Sequence, residues 1–205
     1  MKHSYELYKS FIQKIADIKY ASAVLQWDQE TYLPLKGNDT RGRQIATLSE
    51  LAHQQFTDEK LGTLLEELSQ KNDLGEVEKR NVQLSLEDYR KSKKLDSAFV
   101  RKMSEVVNKS FHAWIQARKE NNFGVFEKPL HEVIELKKQE ADMLGYETHP
   151  YNALMNDYDK GLTVTITDKL FEDLKPGLLI LLDDIAQKEP IDNSFLHQHF
   201  DKDLQ

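Results

Sequence analysis

Apolar residues recur at spacings of three and four along most of the chain, a period that predicts amphipathic helices. The first and longest predicted helix covers residues 4–30. Its apolar positions are Tyr5, Tyr8, Phe11, Ile12, Ile15, Ile18, Ala21, Val24 and Leu25. Two-residue alternation is confined to 162–166, and a lone strand would have nothing to pair with. The pattern predicts an all-α protein, an elongated multi-helix bundle of about eight helices with no significant sheet.

Caps and helix breakers set the predicted boundaries. The predicted helices cover about 4–30, 40–56, 58–69, 76–94, 97–121, 125–144, 151–158 and 164–187. The predicted caps are Asp39 or Thr40, Thr57 or Asp58, Asp96 or Ser97, and Thr163 or Thr165. Pro176 should kink the last helix. Since no low-complexity linker interrupts the pattern, residues 1–205 are predicted to form a single helical region.

The apolar stripes predict which side chains face the interior. In the second helix these are Ile45, Leu48, Leu51 and Ala52, and in the third Leu61, Leu64, Leu65 and Leu68. The fifth helix should bury Phe99, Val100, Met103, Val106, Val107, Phe111, Trp114, Ile115 and Ala117.

Composition narrows the class of protein. The chain has 205 residues with 28 basic and 35 acidic side chains, a net charge of −7, which argues against a nucleic-acid partner. Cysteine is absent, so disulfides and thiolate chemistry are excluded, and a cytoplasmic setting is expected. No apolar run reaches the roughly 18 residues of a membrane span, so a membrane partner is not expected.

The most distinctive segment is VLQWDQETYLP at 24–34, where an apolar helix face ends in Trp27, Asp28 and Glu30 just before Pro34. Two interpretations are open. The tryptophan can end a buried face while a carboxylate pairs with the indole N–H or with a basic side chain such as Arg41 or Arg43. Alternatively, the segment lines a binding surface.

Several uncommon motifs occur together in order. They are VLQWDQETYLP at 24–34, RGRQIATLSELAH at 41–53, LGY at 144–146, HPYNALMNDY at 149–158, and Gly161. This series resembles the thermostable-carboxypeptidase family, zinc metallopeptidases of the HExxH type that remove single residues from peptide C-termini. The resemblance covers the whole chain but only the N-terminal portion of the family's larger enzyme.

The resemblance implies a function for the longer protein. Two histidines of HExxH and a downstream glutamate would hold zinc, and they lie beyond this chain in the family. The N-terminal helices would form a substrate-groove wall or lid, with Trp27, Asp28, Glu30 and Arg41 as candidate groove-lining residues. The expected partner of the full-length enzyme is a peptide substrate, and a homodimer is a further option.

The chain itself lacks HExxH, in which two histidines four residues apart bind zinc around a catalytic glutamate. At His131-Glu132-Val133-Ile134-Glu135 the second histidine position holds glutamate. Glu50-x-x-His53 has the spacing used in di-iron bundles, but such sites need a second copy and further glutamates. We therefore assign no catalytic, cofactor-binding or metal residue here, and expect the chain to bind no zinc and to be inactive alone.

A second class of function is also compatible with the pattern. The chain could be a stand-alone helical module that binds a peptide or protein in a groove. The ordered series of motifs favours the N-terminal region of a metallocarboxypeptidase, and the module is the alternative.

Overall fold

The computed structural model describes residues 2–201 and 204. This part of the chain contains eight α-helices and no strand. The helices are α1 (Lys2–Thr31), α2 (Asn38–Phe56), α3 (Glu59–Ser69), α4 (Glu76–Ser92), α5 (Ser97–Glu120), α6 (Gly124–Leu144), α7 (Tyr151–Met155) and α8 (Val164–Ala186). Short 3₁₀ helices lie at Leu35–Gly37 and Ser194–His197. The prediction of an all-α fold with about eight helices and no significant sheet is confirmed.

Side-chain caps begin three helices at the predicted positions. The caps are Asp58, whose carboxylate accepts from the Lys60 N–H at 2.8 Å, Asp96, which accepts from Phe99 N–H at 2.6 Å, and Thr163, which accepts from Ile166 N–H at 3.3 Å. Each satisfies a backbone donor that the first turn of a helix leaves without an intrahelical partner.

The cap predicted for the second helix is wrong. Gly37 precedes α2 without a side-chain cap, and Asp39 lies inside the first turn. The reason is the 3₁₀ helix at Leu35–Gly37, which leads directly into α2 in a helical conformation. Asp39 therefore acts on α2 through its charge near the positive end of the helix.

The chain divides into two compact units, Met1–Leu154 and Met155–Gln205. The first unit has a core where α1, α3 and α4 meet. Its buried members are Tyr8, Ile15, Leu61, Leu64, Leu65, Leu68, Val82 and Leu86. The predicted stripe of α3 is confirmed in full, and Leu61 and Leu65 are 0% exposed.

A second set of contacts in the first unit stacks α2 against α5 and α5 against α6. At Gly42 of α2 there is little room for a side chain, because a Cβ atom there would lie 2.7 Å from the Asn108 side-chain oxygen of α5. An ion pair between Glu50 and Arg101, with a 2.9 Å contact, joins the same two helices. These contacts hold α2 against α5.

Several side chains predicted to face the interior are exposed instead. They are Leu51 at 43%, Val107 at 44%, Trp114 at 45% and Ile115 at 43%. The buried residues of α5 are Phe99, as predicted, and the small residues Ser110 and Ala117. Small side chains allow close helix packing, so the larger ones beside them lie outside the contact.

In the second unit α8 continues from Val164 to Ala186 and includes Pro176. A helix can bend at a proline without ending there, and the predicted kink stays a prediction. The prediction of one helical region over 1–205 likewise stays a prediction. Among the residues described, no helix is both long enough and apolar enough to cross a bilayer.

Candidate functional site

The last turns of α1 carry Trp27, Asp28 and Glu30, three of the four candidate residues. Side chains of α2 and α5 form hydrogen bonds with this end of the helix. A guanidinium nitrogen of Arg41 in α2 donates to the Asp28 carboxylate at 2.5 Å and to the Leu25 carbonyl at 2.9 Å. The Asn108 amide of α5 donates to the Gln29 side-chain oxygen at 2.8 Å. Asp28 and Gln29 therefore hold the end of α1 against α2 and α5.

Arg41 is well suited to this position. Its side chain is 15% exposed and that of Asp28 is 33% exposed, so the pair is partly removed from water. Its Nε also donates to the Gln44 side chain at 3.1 Å, which fixes the plane of the guanidinium group. A charge-assisted bond held in this way is stronger than a freely solvated ion pair.

Trp27 and Glu30 lie on the side of α1 that faces solvent, away from α2 and α5. Trp27 is 58% exposed, and its ring meets Tyr32 edge-on with centroids 5.4 Å apart. Glu30 is exposed on the same side of the helix, because positions three apart lie close together on a helix surface. An amphipathic aromatic pair beside a carboxylate can contact both the apolar and the charged parts of a peptide.

This exposed surface extends back along α1. Tyr20 is 68% exposed and Val24 is 62% exposed, and the spacings 20, 24 and 27 place them on the side of Trp27. We call Tyr20, Val24, Trp27 and Glu30 the outer face of α1. Three of these four side chains are large and apolar, which is unusual for a solvated helix face.

The structure thus separates the four predicted site residues into two pairs. Asp28 and Arg41 form a contact between helices, the arrangement anticipated in the structural interpretation. Trp27 and Glu30 remain available at the surface. Their role as groove-lining residues stays a prediction. Sequence reasoning missed Tyr32 and Asn108, although Tyr32 lies inside the distinctive segment.

A recess of about 380 Å³ lies on another side of α1. It is lined by Lys19, Ser22, Ala23, Gln26, Leu48, Ser49, Ala52, His53, Phe56, Ser92 and Val100. His53 Nε2 lies 2.9 Å from the Leu95 carbonyl, and the Lys19 ammonium lies 5.8 Å from the centre of the Phe56 ring. The polar groups of the recess are therefore partly engaged in packing. Its lining comes from four helices, and the sequence pattern did not predict it.

The residues considered for a metal do not fit one. Glu50 pairs with Arg101 at 2.9 Å, and His53 contacts the Leu95 carbonyl. Glu135 accepts from the Lys138 ammonium at 2.7 Å, which lowers the pKa of the Glu135 carboxyl. Within residues 2–201 and 204, no group of three or more His, Cys, Asp or Glu side chains could hold a metal ion.

The fold and the site together define a helical protein region that exposes an aromatic pair and a carboxylate at the end of α1. The sequence profile of the family described as Carboxypeptidase Taq (M32) metallopeptidase matches residues 7–205. The chain belongs to this family of metallopeptidases, which confirms the resemblance given by the motifs.

Individual relatives are similar over nearly the whole of this chain. Carboxypeptidase 1 of Bacillus subtilis is 30% identical over 206 positions, which cover 99% of this chain and 41% of that protein. Thermostable carboxypeptidase 1 of Pyrococcus furiosus is 32% identical over 176 positions, covering 86% of this chain and 35% of that protein. The chain therefore spans about two fifths of the length of the curated relatives it matches, in their N-terminal region.

Solved structures agree with this assignment. The structure titled "BsuCP Crystal Structure" superposes with a TM-score of 0.93 at 28% identity, over 98% of this chain and 41% of that one. The structure titled "The Structure of CHT" is 52% identical with a TM-score of 0.77, again over 98% of this chain and 41% of that one.

Proposed function

We propose that this chain is the N-terminal helical region of a zinc-dependent carboxypeptidase that removes residues from the C-termini of peptides. In this proposal the outer face of α1 contributes a wall of the substrate groove. The protein works in the cytoplasm, in keeping with the absence of cysteine. Zinc and the catalytic base belong to the part of the family fold that this chain does not span.

The exposed pair of Trp27 and Tyr32 is the observation that carries the groove-wall assignment. Their edge-on contact at 5.4 Å pre-orders two aromatic rings at the surface. Immobilising rigid aromatic side chains costs little conformational entropy, so such pairs make good contact surfaces for peptides. Asp28 and Arg41 support the wall from behind by holding the end of α1 on α2.

Glu30 gives this wall a charge. A carboxylate beside the aromatic pair favours peptides with basic or neutral side chains at the contacting position and disfavours acidic ones. It also keeps the surface hydrated when no peptide is bound. The proposed wall therefore contributes to peptide selection, while hydrolysis needs a metal to polarise the carbonyl and activate water.

A chimera tests the proposal. Residues 1–205 replace the matched N-terminal region of Bacillus subtilis carboxypeptidase 1, and release of C-terminal residues from peptides is followed with zinc added. We expect the chimera to hydrolyse peptides and Trp27→Ala to lower kcat/KM about tenfold or more with little change in melting temperature. Glu30→Gln should change the preference between acidic and basic peptides.

Phe123→Ala is the matched control, because Phe123 is 61% exposed and meets Phe126 edge-on much as Trp27 meets Tyr32. It should leave kcat/KM unchanged. Equal losses for Trp27→Ala and Phe123→Ala would contradict the groove wall. An inactive chimera, together with peptide binding by the 205-residue chain that Trp27→Ala abolishes, would favour the stand-alone peptide-binding module.

A further inference from the structure

The recess beside α1 lies within the first unit of the chain, and two of its walls differ in polarity. On α1 its lining includes three polar residues at spacings of three and four, namely Lys19, Ser22 and Gln26. On α2 its lining includes three apolar residues at a spacing of four, namely Leu48, Ala52 and Phe56. Residues at these spacings lie in a row along one face of a helix. The recess therefore has a polar wall on α1 and an apolar wall on α2.

Ser22 is the most buried polar residue of this lining. It is 8% exposed, and its hydroxyl has no hydrogen-bond partner among the residues that the structure describes. Helix serines often donate to the carbonyl of the preceding turn, as Ser49 Oγ does to the Ile45 carbonyl at 2.9 Å. A buried hydroxyl without such a partner costs stability unless another molecule bonds it. Ser22 therefore offers a hydrogen bond to a ligand in the recess.

Charge decides which ligand group fits beside Ser22. Lys19 forms no ion pair with a carboxylate in the part of the chain that the structure describes. The sequence has 35 acidic residues, yet none of the described residues that line the recess is Asp or Glu. A ligand carboxylate would pair with Lys19, whereas a ligand ammonium would be repelled by Lys19 and would find no anionic partner.

The apolar wall and the volume of the recess set the rest of the ligand. The Phe56 ring meets Tyr89 edge-on, with the ring centroids 6.4 Å apart, which restricts where the Phe56 ring can lie. The recess measures about 380 Å³, within the range of roughly 300–1,000 Å³ that is usual for small-molecule sites.

We propose that this recess binds a small organic acid. The carboxylate of the acid pairs with Lys19 and accepts from the Ser22 hydroxyl, and its apolar body, about the size of a phenyl ring, lies against the apolar wall on α2. A free amino acid fits less well because it carries an ammonium beside its carboxylate. The site shares no residue with the outer face of α1, so the proposal does not depend on the proposed function.

Calorimetric titration of the 205-residue chain tests the site with three probes of similar size. We expect phenylpropionate to bind once per chain with a Kd of about a millimolar or below. Phenylalanine should bind about fivefold more weakly or worse, and phenethylamine should not bind, because of their ammonium groups. Added salt should weaken the binding of phenylpropionate. No saturable binding of phenylpropionate, or equal binding of the acid and the amine, would overturn the proposal.

Variants on the polar wall test the proposed contacts. Lys19→Met removes the charge and keeps an apolar side chain, so it should weaken the binding of phenylpropionate about fivefold or more. Ser22→Ala should also weaken it, since the carboxylate loses a hydrogen bond. Lys14→Met is the matched control, because Lys14 is exposed on the same helix and does not line the recess. It should leave the Kd unchanged, and equal effects of the two lysine variants would contradict the proposal.

A larger side chain in the recess tests where the acid binds. Ala23 lines the recess and is exposed, so Ala23→Leu should occupy part of the volume and weaken binding about tenfold or more without disturbing the core. Ala21→Leu makes the same change at an exposed position outside the lining and should leave binding intact. Circular dichroism should show the same helix content in both variants. Binding of phenylpropionate that survives Ala23→Leu would locate the acid elsewhere, and the proposal would be wrong.

Discussion

The carboxylate of Asp28 lies 2.5 Å from a guanidinium nitrogen of Arg41, and this contact joins the end of α1 to the start of α2. The same nitrogen reaches the Leu25 carbonyl at 2.9 Å. One arginine side chain thus holds both a side chain and a backbone group of the neighbouring helix, in the same turns that carry Trp27 and Glu30.

Replacing Arg41 should therefore destabilise the first unit. We expect Arg41→Met to cost about 1–3 kcal/mol in the free energy of unfolding, because Asp28 and the Leu25 carbonyl both lose a partner. Urea unfolding of both single variants and of the double variant with Asp28→Asn gives the coupling energy. Arg43→Met serves as the control, since Arg43 is exposed and should change stability little. A coupling near zero would contradict the assignment.

Gly62 should tolerate no side chain. A Cβ atom there would fall against the ring and hydroxyl of Tyr89, so Gly62→Ala should destabilise the protein by about 1–3 kcal/mol despite alanine's better helix propensity. Gly177→Ala in α8 is the matched control, because nothing lies within 4 Å of its Cβ position. That change should increase helicity measured by circular dichroism. Adding Tyr89→Leu to Gly62→Ala should relieve the clash, and strictly additive losses would count against it.

Stability should depend on pH through His112. Burial lowers the pKa of His112 below 6.5, and the charge of Asp39 acts in the opposite direction. The unfolded chain therefore binds the proton more readily, and the free energy of unfolding should fall as the pH falls through 6.5 towards the folded-state pKa. His112→Phe should reduce this loss, measured by thermal melts between about pH 7 and about pH 5.

Asp39→Asn provides a companion to the histidine variant. It removes a charge that favours protonated His112, so the fall in stability over the same pH range should be steeper than in the unaltered chain. The same slope in His112→Phe and in the unaltered chain would assign the pH dependence to other groups.

The core of the first unit should be sensitive to truncation at α3. Leu65 is 0% exposed, so Leu65→Ala should cost about 2–5 kcal/mol through lost burial and the cavity it leaves. Leu51→Ala is the matched control, because Leu51 is 43% exposed and its truncation should cost much less. Chemical unfolding measures both. Similar losses at the two positions would show that Leu51 is packed in solution.

The sequence predicted the local features of this fold well. The caps at Asp58, Asp96 and Thr163 and the buried stripe of α3 follow from rules that act within a turn or two of helix. Those rules need no knowledge of the neighbouring helices. Features set by contacts between distant segments were harder to predict.

The errors follow from such contacts. Trp114 and Ile115 fit an apolar stripe, but the close approach of helices selected Ser110 and Ala117 for the buried face. Likewise, the pairing of Asn108 with Gln29 joins residues far apart in sequence, and neither residue type signals it in advance. The division of the candidate residues at the end of α1 into an inward and an outward pair also needed the positions of α2 and α5.

The exposure of Trp27 has an optical consequence. The chain has two tryptophans, Trp27 and Trp114, and they are 58% and 45% exposed. Because both indoles are about half exposed in the folded state, we expect unfolding to shift their fluorescence little. Occlusion of either surface by another molecule should shift the emission to shorter wavelengths. The intrinsic fluorescence of this chain therefore reports on what covers it more than on whether it is folded.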